Sequence, residues 1–124
     1  MTTTITNVTL AQRLEEAYAA VESASIRSFR TSENVLRDKL ALIEAKQAIL
    51  VANADDAKKL GSNEAARAAT LDTMTVGERD ALAGSEEEER AARHTLEIAR
   101  LHLEAARAQL RLQEIAAGIA RGDR

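Results

Sequence analysis

The sequence predicts an all-α fold: an antiparallel helical hairpin, coiled-coil-like in its packing, with an additional N-terminal helix. Three observations lead there. Ala, Leu, Glu and Arg dominate a chain of 124 residues that has no proline and only Tyr18 and Phe29 as aromatics, the composition of long helices. The strand formers Ile26, Val35, Ile43, Ile49 and Val51 lie in no period-two run. The stretch Ala91 to Ile119 carries apolar residues at helical spacing on two sides instead of one.

That stretch organises the rest. At about 100° per residue, Leu96, Leu103 and Leu110 fall on one side with Ala92, Ala99 and Ala106. Ile98, Leu101, Ala105, Leu112, Ile115 and Ile119 fall on the opposite side, and Arg93, Glu97, Arg100, Glu104, Arg107 and Arg111 run between. A helix with two apolar stripes needs two partners. The other hairpin arm supplies one, and Leu103 is assigned to it. The N-terminal helix or a second copy of the chain supplies the other, met by Leu112.

Residues 1–8 are Thr- and Asn-rich and expected to fray. Thr9 and Gln12 match a capping box, opening a first helix from about residue 10 to the late twenties. Its apolar face is Leu10, Leu14, Ala17, Tyr18, Val21 and Ala24, with Tyr18 as a core or interface anchor. Five Ser and Thr residues between 23 and 32 weaken helix propensity. There the series Leu14, Val21, Ser28, Val35 gives way to Leu36, Ile43, Leu50, Ala57. This predicts a kink or break near residues 29–33, capped by Thr31 or Ser32; one helix with a stutter is the alternative. The chain then reads as a single helical domain over 1–124, with 1–30 an N-terminal assembly element and 33–119 the hairpin.

The second helix is expected from about residue 33 to Leu60. Leu36, Leu40, Ile43, Leu50, Ala54 and Ala57 form its main seam, facing Leu96, Leu103 and Leu110. Leu42, Ala45, Ile49 and Ala52 form a weaker seam behind. Gln47 falls in the main seam, either fixing register or lying at its edge. Lys58 and Lys59 suit a helix C-terminus, and Gly61 the position beyond it. Ser62 or Asn63 then caps a short helix, Glu64 to Leu71. Thr75 and Glu78 form a second capping box with Met74 as staple. The long third helix follows, interrupted once at Gly84–Ser85, with Glu86 to Glu89 in the restarted first turn. Gly118 and Gly122 end it, leaving Arg121 and Arg124 as a basic tail.

The chemistry is sparse. Cysteine is absent, so thiol catalysis, disulfides and thiolate metal sites are excluded. The residues three before His94 and His102 are Ala91 and Ala99, so the Glu-x-x-His of di-iron bundles is missing. No H-E-x-x-H, phosphate loop or G-x-S-x-G pattern occurs. The chain is read as no enzyme, with no metal, cofactor or small-molecule substrate. A net charge of −3 and a pI of about 5.5 argue against a nucleic-acid coat. The N-terminus lacks the pattern of a signal peptide, and no apolar run reaches the roughly 20 residues of a membrane span. A soluble cytoplasmic protein is expected. Candidate interaction residues are Leu14, Tyr18, Val21 and Phe29 in the N-terminal region, and Ile98, Leu101, Leu112 and Ile115 on the third helix. Arg93, Arg100, Arg107 and Arg111 are the alternative, a phosphate-facing edge for a replication or recombination accessory protein. The interleaved glutamates favour instead a solvated ladder of Glu–Arg pairs three and four apart.

Gly61, Asn63 and Arg67 form a G-x-N-x-x-x-R corner between a charged helix and a long Ala/Leu/Glu/Arg helix. Over residues 61–112 the chain resembles small helical proteins of unassigned role encoded by bacteriophages and prophages. The resemblance implies a phage accessory protein acting through protein contacts, near replication or recombination functions, in the host cytoplasm. Read physically, Asn63 caps and Arg67 reaches back to the corner. The function expected is a non-enzymatic interaction, scaffold or inhibitor-type protein that works as a homo-oligomer and binds another protein.

Overall fold

The computed structural model describes the backbone of residues 2–120 and the side chains of residues 9–119. The described residues form three α-helices, α1 (Thr2–Ala52), α2 (Glu64–Met74) and α3 (Val76–Ala120), and one 3-10 turn, Ala57–Leu60. No strand occurs among them. The chain is all-α, consistent with a helical hairpin and a helical N-terminal segment. It divides into two compact units, residues 1–28 with 92–124 and residues 29–91.

The breaks expected near residues 29–33 and at Gly84–Ser85 are absent, and the alternative of one helix through residues 29–33 is the one observed. α1 begins at Thr2, so Thr9 and Gln12 lie inside it, and it continues through residues 29–33. α3 continues through Gly84, Ser85 and Gly118. Gly122, Arg121 and Arg124 lie outside the described residues. The reason for the continuity of α1 is visible in burial. Leu10, Leu14, Ala17, Val21, Ala24, Ser28, Thr31, Val35, Asp38, Leu42, Ala45 and Ile49 are all buried or half-buried. They recur at alternating intervals of four and three without a slip. Two of the residues that suggested a break, Ser28 and Thr31, are members of its inward face. Their propensity cost is a few tenths of a kcal/mol each, small beside the burial of their apolar neighbours.

The second arm therefore turns the other way from expectation. Leu36, Leu40, Ile43 and Leu50 are exposed, by 66, 56, 53 and 47%, and Gln47 with them. The series read as weaker, Leu42, Ala45 and Ile49, is the inward one. The arm also ends sooner, at Ala52 and not near Leu60. There Asn53 donates its side-chain amide to the Ile49 carbonyl at 2.8 Å, and its backbone amide donates to the same oxygen at 3.2 Å, so one residue closes the helix end twice over.

In the first unit, the inward face of α3 alternates Leu96, Leu103 and Leu110 with Ala92, Ala99 and Ala106. The alanines let the helices approach closely, and the leucines supply bulk at about 1.5–3 kcal/mol per fully buried side chain. Leu103 is inward, 8% exposed, but the segment that shares its unit is residues 1–28 and not the arm carrying Leu36, Ile43 and Leu50 to which it was assigned. The segments run antiparallel. Arg13 on α1 donates to Gln109 of α3 at 3.4 Å, and the later Tyr18 receives hydrogen bonds from the earlier Arg107.

In the second unit the inward faces are more polar. Thr31 and Ser85 are buried and Asp38 is half-buried. The Ser85 hydroxyl donates to Asp38 Oδ2, while Arg37 Nε donates to Asp38 Oδ1 at 3.2 Å. These bonds, Ser85 first, hold the Asp38 carboxyl below its ordinary value of 3.8. Gly61 sits at φ 153° and ψ 157°, a conformation that side chains avoid. The Asn63 side chain accepts from the Ala66 amide at 2.8 Å, the expected cap. Arg67 Nε returns to the Asn63 carbonyl at 3.2 Å, the expected reach. Lys46 pairs with Asp72 at 3.3 Å, tying α1 to α2.

Thr75 alone separates α2 from α3. Its hydroxyl donates back to the Leu71 carbonyl at 2.7 Å, so it closes α2, where a capping box for α3 was expected. Arg79 reaches back the same way, donating to the Asp72 carbonyl at 2.9 Å, a cation at a helix C-terminus. Met74 is 54% exposed.

Candidate interaction surfaces

The inward faces leave a second periodic series on each long helix. In the first unit, Ile98, Leu101, Ala105, Ala108, Leu112, Ile115 and Ile119 recur on α3 at intervals of three and four, and every one is exposed. Leu101, Leu112 and Ile119 are 62, 66 and 71% exposed. Scattered exposed apolar residues are ordinary, whereas a continuous apolar stripe marks a contact surface. In the second unit, Phe29, Leu36, Leu40, Ile43 and Leu50 of α1 form a comparable outward series. Reading the sequence missed this one because its large side chains were assigned to the hairpin seam. The signal that finds it is the unbroken three-and-four spacing counted from Leu10.

The candidate residues separate into four groups. Ile98, Leu101, Leu112 and Ile115 share the outward stripe of α3, as placed from the sequence. Leu14 and Val21 are half-buried on the inward face of α1. Tyr18 stands beside that face, 47% exposed. Its hydroxyl accepts from Arg107 Nε at 3.1 Å and Nη2 at 2.7 Å, and the guanidinium carbon lies 5.2 Å from the ring centroid. Tyr18 thus joins the two helices through a cation–π contact. Phe29 belongs to the second unit.

Arg93, Arg100, Arg107 and Arg111 are exposed. Arg93, Arg100 and Arg107 recur every seventh residue along one edge of α3, with Glu97 and Glu104 between them. Arg107 is engaged by Tyr18, which removes it from a free basic edge.

An open groove of about 390 Å³ lies in the first unit, lined by Arg13, Glu16, Ala17, Ala20, His102, Ala105, Ala106 and Gln109. Its alanine lining gives little purchase for a small molecule, and its polar groups stand on exposed residues at the rim. No group of three or more His, Cys, Asp or Glu side chains among the described residues is arranged to hold a metal ion. No helix among them is long and apolar enough to cross a membrane. No protein-family model, curated protein or solved structure matches the chain.

Proposed function

We propose that this chain is a non-enzymatic interaction protein, a helical scaffold or inhibitor-type accessory that works as a homo-oligomer through coiled-coil pairing. One observation carries the reading: α3 buries one apolar face within its own unit and leaves the opposite face, Ile98 to Ile119, open. Monomeric soluble proteins rarely expose a large contiguous apolar patch, and where one occurs it marks a contact site. The outward series on α1 is the contact for a second protein. The corner of Gly61, Asn63 and Arg67, which resembles that of small phage and prophage proteins, supports a role as a phage accessory in the host cytoplasm.

Light scattering at micromolar concentration tests the reading. A mass at least twice 13.4 kDa is expected, and a monomer with a sharp thermal transition overturns it. A salt-sensitive shift of DNA in a gel would favour nucleic-acid binding instead.

A further inference from the structure

From Ile98 to Ile115 the outward stripe of α3 reads the same in both directions. Ile98, Leu101, Ala105, Ala108, Leu112 and Ile115 spell I-L-A-A-L-I along one exposed face. We infer that this stripe is the homodimer interface, in which two copies of α3 pair antiparallel about a two-fold axis between Ala106 and Arg107. The inference rests on the homo-oligomer proposed above and specifies its partner surface, direction and register.

The pattern determines that register. A two-fold interface sets one patch against itself, so residue i meets residue j while j meets i. In antiparallel helices with three-and-four spacing, the first position of one helix packs in a layer with the fourth of the other. Centred as stated, Ile98 meets the partner's Ile115, Leu101 meets the partner's Leu112, and Ala105 meets the partner's Ala108. Large residues pair with large at both ends, and small with small at the centre, where two helices can come closest. Ile119 continues the stripe at one end of α3.

The charges beside the stripe agree with the same axis. Glu104 and Arg111 are exposed and occupy the same flanking position one heptad apart. In this register Glu104 stands opposite the partner's Arg111, and the symmetry repeats the pair. His102 stands opposite the partner's Gln109 on the other flank, so no like charges meet there. A parallel pairing sets Glu104 against the partner's Gln109 and uses neither charge. The alanine-lined groove opens beside the centre of the stripe, sharing Ala105 with it, so a helix lying over the alanines also covers the α3 edge of the groove.

Charge reversal in the full chain tests the register. Glu104→Arg places two arginine pairs across the axis, and Arg111→Glu places two glutamate pairs. Each single variant should weaken dimerisation on the order of tenfold or more at low salt, since like charges set opposite one another across an interface are strongly unfavourable, and less at high salt. The double variant should recover the parent's dimer. An equimolar mixture of the two single variants should form heterodimer in excess of either homodimer, read by native mass spectrometry. Helicity by circular dichroism checks that each variant folds. If the parent is dimeric and the reversals neither weaken it nor favour the heterodimer, this interface is wrong while the homo-oligomer stands. If the parent is monomeric at micromolar concentration, both fail together.

Discussion

Replacing Gly61 by alanine should be among the most damaging single-methyl changes in this chain, and the structure gives the reason in two parts. The backbone at φ 153° and ψ 157° lies where a side chain costs about 1–3 kcal/mol in strain. An added Cβ would also stand 2.8 Å from the Ala66 carbonyl carbon, 2.8 Å from the Arg67 nitrogen and 2.9 Å from the Ala66 Cβ. Two of those atoms are backbone, so relief requires moving the first turn of α2 against its Asn63 cap. Overpacking of this kind adds about 1–3 kcal/mol. The sum, about 2–6 kcal/mol, exceeds the roughly 1 kcal/mol of an average substitution. Gly84→Ala provides the opposite sign. It lies within α3 and an added Cβ meets nothing within 4 Å, so alanine should stabilise by about 0.5–1 kcal/mol. Urea unfolding followed by circular dichroism, at fixed protein concentration, reads both as shifts of midpoint at constant slope. At roughly 4 °C per kcal/mol for a chain of this length, Gly61→Ala should lower Tm by about 8–24 °C and Gly84→Ala should raise it by about 2–4 °C. A Gly61→Ala protein as stable as its parent would refute the close approach of that corner to α2. A destabilised Gly84→Ala protein would mean that this part of α3 is covered.

Three further outcomes are expected. Leu103→Asp places a charge on the buried face of α3 and should unfold the first unit at any protein concentration, whereas Leu112→Asp should leave a helical protomer and abolish assembly; matched dilution series by circular dichroism and light scattering separate them. Asp38 has its carboxyl held low, so its bonds stabilise the fold above the ordinary Asp value, and that contribution is lost as pH falls through the lowered value; urea midpoints measured against pH should show an acid limb that is shallower in Asp38→Asn. Tyr18→Phe keeps the ring beneath Arg107 and loses two hydrogen bonds at an exposed site, so it should cost under about 1 kcal/mol, less than Tyr18→Ala; the order of their thermal midpoints tests this.

The all-helical class, the short helix after Gly61, its Asn63 cap and the two-sided nature of α3 were legible because each has a local cause. The inward face of α1 was not. Between Val35 and Leu36 the eye follows size, and the bulky series Leu36, Leu40, Ile43, Leu50 looks like a core. The actual inward series passes through Ser28, Thr31 and Asp38, whose burial depends on partners such as Ser85 that are distant in sequence. Spacing was the more reliable guide than hydrophobicity. The mistaken break near residues 29–33 and the mistaken restart at Ser85 share that origin: a polar residue at a helical interface was read as a residue at a helix end. The outward placement of Ile98, Leu101, Leu112 and Ile115 was legible because α3 has too many apolar residues for one face, an excess visible without any partner in view.

The bond between Ser85 and Asp38 has a consequence for how the chain finds one alignment among several. Leucine and alanine repeated every seven residues are nearly indifferent to a slide of one heptad, so cohesion by itself leaves degenerate alignments. Asp38 removes the degeneracy. Slid seven residues one way, its carboxylate would meet Glu78, and seven the other way, the methyl of Ala92. The first outcome opposes two anions and the second strands a desolvated one. A single hydroxyl thus acts as an address in an otherwise repetitive text, and exchanging both residues for alanine would yield a protein more uniformly apolar inside yet less certain of its own pairing.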